Sequence, residues 1–509
     1  MEKTKNSNTI WLKILGDKIT EFWNRFGFGF SIWMIFVIYL SLIQFSTPHL
    51  PGNDGFYHIK MAYLMRTEGL VLDFIWLPFS IINHLQFNDH QFLFHVALIP
   101  FTFGDLIIGA KIASIFFASI SFLCVWSLFK SQNIPYDAIW AFGLMGISEA
   151  FIFRMMLTRT QSLSLVILLL AFSWILQKKN KSLFFLGFIY VWFYNAFPLL
   201  LVVASSYFVA NFILHRKFDV QPLFYSAAGI VIGNLINPYF PKNLIFTFSH
   251  IIPKIFETTA INVGGEWYPY DTVQLIQNSF LALFLFIAGS FALGLDEKRM
   301  DLRTAMSFGL SVAFGLMLFQ SRRFIEYFPP FVLVFSAFSL TPIIQKWKIK
   351  AKNGLEKYLP SILLIILFIP SIWITLQASR ENFQTTNSSR IYSEASEWLI
   401  NNSPKGSRIF QTDWDDFPRL FFFNTHNTYL IGLDPTFMQQ YDSEKFDLYV
   451  EITQGKIDNP SEIIRDEFGC EFIHTDLLHD KFSKVANNDP KIKEVFRSED
   501  SIIYQIVGD

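Results

Sequence analysis

Long apolar runs separated by short polar turns dominate the first three quarters of the chain. They fall near residues 28–46, 106–129, 137–153, 161–177, 183–196, 198–214, 223–237, 274–295, 304–320, 328–345 and 359–378. A helix rises about 1.5 Å per residue, so roughly 20 apolar residues cross the hydrocarbon layer of a bilayer. The pattern therefore predicts about eleven membrane-spanning helices. Segments 137–153 and 183–196 are the shortest, and Asn195-Ala196-Phe197-Pro198 reads as a tight turn between two spans. Beyond 378 the material changes: spanning runs stop and acids become frequent. Alternating stretches such as Ser407-Arg408-Ile409-Phe410-Gln411 and residues 501–507 predict strands, and 391–401 and 461–468 predict helices. The fold class is mainly α: a helical bundle over 28–378, preceded by a tail, 1–27, and followed by a small α/β domain, 379–509.

Charge orients this layout. The tail carries Lys3, Lys5, Lys13, Lys18 and Arg25, and alternate loops carry Lys130; Lys178, Lys179 and Lys181; Arg216 and Lys217; Lys298, Arg299 and Arg303; and Lys346, Lys348, Lys350, Lys352 and Lys357. The positive-inside rule places the tail and these loops in the cytoplasm. An odd number of spans then puts 379–509 outside. The first apolar run starts late and lacks a cleavage-site pattern, so it reads as a retained span.

Composition agrees with a membrane protein. Of 509 residues, 52% are hydrophobic and 16% charged, with 60 Phe and a mean hydropathy of +0.34. A net charge of -1 leaves no basic surplus for nucleic acid. The two cysteines, Cys124 and Cys470, predict neither a disulfide nor a cysteine metal site. No internal repeat occurs, and no inverted pair of broken helices of the kind transporters use.

Candidate chemistry lies on the outer side. The first outer loop, 47–105, opens with Gly52-Asn53-Asp54-Gly55-Phe56-Tyr57-His58. Asp54 reads equally as a general base or metal ligand and as the cap of a helix beginning near Phe56. His58 taken alone reads as a satisfied interfacial histidine. Residues 57–67 and 74–86 predict helices lying along the interface. His90 and His95 are five apart, off the i,i+4 spacing of two ligands on one helical face. Arg154 and Arg159, and Arg322 and Arg323 followed by Glu326 and Tyr327, run against the charge bias of outer turns. Arginine's planar fork matches phosphate oxygens. The alternative is snorkelling to headgroups or pairing with Glu149 or Glu326. The loop 238–273 holds Gly264-Gly265-Glu266-Trp267-Tyr268-Pro269-Tyr270, which suits either a mobile loop closing over a sugar or aromatic residues at the interface. Thr412-Asp413-Trp414-Asp415-Asp416-Phe417-Pro418-Arg419 groups three acids around a Trp, facing the site from above or forming a solvated turn.

This arrangement resembles the GT-C superfamily of polytopic glycosyltransferases, and within it the oligosaccharyltransferase catalytic subunits. Asp54 matches the acid of the first outer loop, and Glu266 occupies a place like that of the mobile-loop Glu. Arg322 or Arg323 resembles the late-span arginine near the substrate. Residues 412–417 faintly resemble the tryptophan-aspartate motif of the C-terminal domain. Two departures stand out: the second outer turn offers only Glu149, with Arg154 and Arg159, in place of paired acids, and the C-terminal motif reads DWDDF. Both weaken the case for metal dependence and for peptide-sequon recognition.

The resemblance implies inverting transfer of a sugar from a polyprenyl-phosphate donor to a lipid, glycan or protein acceptor at the outer membrane face. Asp54 and Glu266 become the catalytic carboxylates, with Asp54 as base. Arg322, Arg323, Arg159 and Arg154 become the donor phosphate site. Tyr57, His58, His90, Trp267, Tyr270, Trp414 and Asp415 become substrate-binding residues. A divalent cation, Mg or Mn, is the cofactor left open. Few cysteines and no targeting address suit a bacterial inner membrane. The competing class is a transporter or flippase of lipid-linked glycans, which needs charge at mid-depth; Asp105 and Lys111 are its nearest candidates. A non-catalytic scaffold is the third reading.

Overall fold

A computed structural model describes residues 27–251, 264–295, 300–351 and 354–507. The cytoplasmic tail expected over 1–27, and the middle of the outer loop 238–273, lie outside the described residues apart from their edges. Each apolar segment of the sequence coincides with a helix or a bent pair. In chain order these are α1 (Gly27–Gln44), α2 (Asp54–Glu68), α3 (Phe92–Leu98), α4 (Leu106–Ser131), α5 (Asp137–Phe142), α6 (Glu149–Met156), α7 (Gln161–Leu176), α8 (Ser182–Phe193), α9 (Leu199–His215), α10 (Gln221–Leu235), α11 (Lys242–Phe246), α12 (Thr272–Leu295), α13 (Leu302–Leu318), α14 (Phe328–Lys350) and α15 (Gly354–Gln384). Among the described residues, α1, α4, α12, α14 and α15 are long and apolar enough to cross a membrane. They make this an integral membrane protein. Exposed Phe280, Phe291 and Ile366 on their outer faces give the apolar surface that lipid requires.

The segment expected as one span over 137–153 is instead a pair of helical pieces, Asp137–Gly146 and Glu149–Met156, bent by 86°. The reasons are local. Ser148 begins α6 by accepting a hydrogen bond from the Phe151 amide at 3.2 Å. At Gly146 an added Cβ would lie 2.6 Å from the Ile372 amide nitrogen of α15, so only glycine fits there. Arg154, near the end of α6, reaches Glu266 and Glu326 beyond the bend. Helices α8 and α10 pack backbone to backbone for a similar reason. A Cβ at Gly229 would sit 2.0 Å from the Phe184 carbonyl oxygen.

Residues 408–506 carry a five-stranded sheet in the order β2-β1-β3-β5-β4, with β1 (Arg408–Gln411), β2 (Thr428–Tyr429), β3 (Cys470–Asp476), β4 (Ile492–Arg497) and β5 (Ser501–Ile506). The first three strands are parallel, and β5 runs antiparallel to β3 and β4. Helices 393–402 and 461–466 lie where the sequence places them.

The expected interfacial helix over 74–86 does not form. Residues 73–90 are turns and extended chain. Pro78 denies a helix, and tertiary contacts hold the segment against the C-terminal region instead. The Trp76 carbonyl accepts from the Tyr429 amide at 2.9 Å, and the Ile81 amide donates to the Phe437 carbonyl at 3.1 Å. Phe74, Trp76 and Leu77 share one buried cluster with Phe417, Phe421 and Tyr429. The loop 47–105 is thereby a floor on which the C-terminal region rests. The two candidates for mid-depth charge have structural partners. Asp105 caps α4 through the Ile108 amide at 2.8 Å, and Lys111 donates to the Thr47 carbonyl at 2.5 Å.

Candidate active site

Asp54 is the first residue of α2; the cap position belongs to Asn53, whose side chain makes no capping bond. The capping role weighed for Asp54 is therefore corrected: its carboxylate pairs with Arg159. Helix α2 points its positive N-terminal end at this carboxylate. The preceding Asn53 is gripped from the C-terminal region. Its Oδ1 accepts from Arg419 Nε at 2.7 Å, and its Nδ2 donates to the Asp415 carbonyl at 3.0 Å.

Arg159 is one of three arginines that converge on Glu266. Arg159 Nη1 donates to Glu266 Oε2 at 2.9 Å, and Arg154 Nη1 donates to the same oxygen at 2.6 Å. Arg323 Nε donates to Glu266 Oε1 at 2.8 Å, with its guanidinium 4.0 Å over the Trp267 ring. Arg154 also binds Glu326, through Nε at 2.7 Å. Three cations thus meet three carboxylates, those of Asp54, Glu266 and Glu326. Burial pushes the Glu266 carboxyl up, but Arg323, Arg159 and Arg154 outweigh it and hold it well below the usual carboxylate range. Burial dominates at Glu326, whose carboxyl is raised despite Arg154. The backbone of the Glu266 turn is anchored by Ser321, whose hydroxyl donates to the Glu266 carbonyl at 2.9 Å. Gly264, with φ +98°, lets the chain enter that turn.

Behind these charges lies a cavity of about 300 Å³, lined by Asp54, Tyr57, His58, His90, Arg159, Trp267, Arg323 and Tyr327 among others. Its far wall comes from α11 and the C-terminal region, with Phe246, His250, Asp434 and Phe437. Burial lowers His58 well below the usual imidazole range and His90 to about 4. On the other side of Asp54 and Arg159 opens a polar cleft of about 420 Å³, lined by Asn53, Asn382, Thr385, Thr386, Asn387, Asp415 and Arg419. Asp54 and Arg159 stand between the two spaces.

Most of the candidate site residues come together here: Asp54, Tyr57, His58 and His90 from the first loop, Arg154 and Arg159 from the end of α6 and the turn after it, Glu266 and Trp267, Arg323, and Asp415 from the C-terminal region. Three do not join the cluster. Arg322 lies outside it, donating through Nε to the Pro269 carbonyl at 3.1 Å and stacking 5.0 Å from the Tyr270 ring. Tyr270 packs against the helical core, and Trp414 packs into the core beneath the sheet. Asp416 is buried and accepts from the Tyr392 hydroxyl at 2.7 Å. Glu149, weighed as a partner for the arginines, accepts from Asn382 at 2.9 Å instead. Sequence reasoning missed His250, Asp434 and Asn53. The first two sit in a short helical segment, Thr247–Ile251, and just before the helix Pro435–Tyr441, and no spacing links them. Asn53 carried one signal, its place directly before Asp54.

Among the described residues, no three His, Cys, Asp or Glu side chains group as metal ligands. Asp54 and Glu266 each face an arginine.

No family model and no curated protein sequence matches the chain. Solved structures do resemble it. The oligosaccharyltransferase AglB of Archaeoglobus fulgidus, in complex with an inhibitory peptide and a dolichol-phosphate, superposes with a TM-score of 0.63 at 12% identity, over 91% of this chain and 71% of that one. ArnT of Cupriavidus metallidurans bound to undecaprenyl phosphate gives 0.56 at 12% identity, over 95% and 98%. The arabinofuranosyltransferase AftD from Mycobacteria gives 0.55 at 10% identity, over 95% of this chain and 40% of that one. All three are GT-C glycosyltransferases, and at these identities the likeness shows the fold. The resemblance expected from the sequence holds at that level.

Proposed function

We propose that this chain is a membrane glycosyltransferase that moves a sugar from a polyprenyl-phosphate donor to an acceptor at the outer face, with inversion. The observation that carries the reading is the convergence of Arg154, Arg159 and Arg323 beside Asp54 at the mouth of a largely apolar cavity. Three guanidiniums suit a phosphate that gains charge as its sugar departs. The two neighbours that hold a dolichol-phosphate and an undecaprenyl phosphate support a lipid-phosphate ligand. The donor lies in the cavity, and the acceptor hydroxyl arrives through the polar cleft. Asp54, between them, takes the hydroxyl proton as the oxygen attacks the anomeric carbon. The bond to phosphate breaks, and the leaving phosphate needs no strong acid because it is already a stable anion. Glu266 yields its arginines to that phosphate when the donor binds, and Trp267 covers the sugar.

The topology proposed with this reading has eleven spans, a cytoplasmic N-terminus and an extracytoplasmic α/β domain over 379–509, in a bacterial inner membrane. The test is turnover of a panel of polyprenyl-phosphate sugars by the purified chain in lipid. Release of polyprenyl phosphate by wild type, and its loss in Asp54→Asn, supports the reading. Equal turnover by both overturns the role of Asp54, and no turnover of any donor counts against the activity.

A further inference from the structure

Behind the cavity wall runs a buried chain of three side chains that the transfer mechanism does not use. His95 Nδ1 lies 2.7 Å from Asp89 Oδ2, and both side chains are almost fully buried, at 1% and 2% exposure. His95 Nε2 lies 2.9 Å from His58 Nδ1. Asp89 Oδ1 accepts from the Gln91 amide at 3.0 Å, so the carboxylate is held as an acceptor on both oxygens.

The direction of these bonds follows from one end. A carboxylate only accepts, so His95 carries its proton on Nδ1 and donates it to Asp89. That leaves His95 Nε2 with a lone pair, which accepts from His58 Nδ1–H. His58 in turn keeps a lone pair on Nε2. His58 lines the cavity one helical turn after Asp54, and among the described residues the hydrogen bond its ring makes is the one from Nδ1 to His95. Burial, reinforced by Arg159, lowers His58 well below the usual imidazole range, so the ring is neutral near pH 7. Asp89 therefore locks His58, two residues away along the chain of bonds, in the tautomer that can only accept.

We propose that His58 is a specificity-determining residue that accepts a hydrogen bond from one hydroxyl of the transferred sugar, with His95 and Asp89 as positioning residues that fix its tautomer. This rests on the glycosyltransferase reading and adds to it the class of group the donor must present: a free hydroxyl on the sugar ring. A site built around one hydroxyl discriminates strongly against an analogue lacking it, because the buried acceptor is then left unpaired.

The test compares polyprenyl-phosphate sugars with their monodeoxy analogues, one ring position at a time, using the full chain in lipid. Wild type is expected to lose on the order of 10³-fold in kcat/KM at one position. His58→Leu is expected to be slow on the parent sugar and unchanged on that deoxy analogue, so its ratio collapses to within about 5-fold. Asp89→Asn is expected to narrow the same ratio by about 10-fold, because an amide can donate as well as accept and releases the tautomer. The ratio cancels the intrinsic reactivity of each analogue, and loss of packing alone would slow both sugars together. If His58→Leu fails to fold, His58→Gln carries the comparison and retains part of the ratio through its amide oxygen. Equal ratios in wild type and His58 variants at every position overturn the assignment while leaving the enzyme reading intact. Absence of wild-type turnover on every parent sugar overturns both.

Discussion

Arg419 Nε donates to Asn53 Oδ1 at 2.7 Å, which fastens the C-terminal region to the residue directly before Asp54. The same guanidinium donates to the Ser388 carbonyl at 2.9 Å and stacks 4.4 Å over the Phe56 ring. Arg419 therefore sets where α2 begins without touching the cavity that holds the donor in the proposed mechanism. Arg419→Met should cut donor turnover about 10- to 100-fold, since a displacement near 1 Å at a reacting group can cost that much. Donor affinity should stay within a few fold. Separate measurement of kcat and donor binding checks this, and a parallel loss of affinity would make Arg419 a binding residue instead.

Glu266 occupies the arginines that a donor phosphate would need. Glu266→Ala leaves three guanidiniums close together with only Asp54 and Glu326 to offset them and Arg323 without its carboxylate, and breaking such a partly buried set costs about 3 kcal/mol or more. Thermal stability should fall. Inorganic phosphate should restore much of it in the variant, since a ligand at about 100 times its Kd stabilises by about 2.7 kcal/mol. The wild-type protein, with Glu266 in place, should respond far less. A thermal shift series against phosphate, with chloride held at equal ionic strength, reads the difference.

The helical layout was legible because apolar runs long enough to span a bilayer admit few other structures. Strands β1 and β5 and helix 393–402 were legible from period and propensity alone. What escaped was set by contacts distant in sequence. Residues 74–86 look amphipathic, yet Trp76 pairs with Tyr429 some 350 positions later, and no local pattern records that. Arg159 and Glu266 were each visible as unusual charges in loops expected outside, but their pairing needed the fold. Arg322 and Arg323 are indistinguishable in sequence. A single step in the turn after Ser321 sends one to Glu266 and the other to the Pro269 carbonyl.

Arg154 joins Glu326 to Glu266, and Glu326 is only 2% exposed. Arg154→Gln should destabilise the protein by about 3–5 kcal/mol, because Glu326 is left as a buried, unpaired acid. Adding Glu326→Gln should recover part of that loss, as an amide pair can share a hydrogen bond at lower desolvation cost. A double-mutant cycle on unfolding midpoints isolates the coupling. Additive effects of the two substitutions would mean that the ion pair carries no net stability.

Acid should loosen the cavity wall through its histidines. His90 is held near 4 by burial, with Asp89 and Asp434 pulling it up and His95 and His250 pushing it down. Its folded pKa lies below the unfolded value, about 6.5, so the unfolded chain binds more protons between those limits. Stability contributed by neutral His90 is therefore complete above pH 6.5 and is lost as pH falls toward 4, at about 1 kcal/mol per pH unit. His58, lowered for the same dominant reason, adds in the same direction. His90 stacks on Phe246 with ring centres 5.2 Å apart, a contact that an aromatic side chain can keep. His90→Phe should leave stability at pH 7.5 nearly unchanged and reduce the acid slope between pH 6.5 and 5. Unfolding midpoints across that range measure the slope directly. An unchanged slope in the variant would place the acid sensitivity elsewhere.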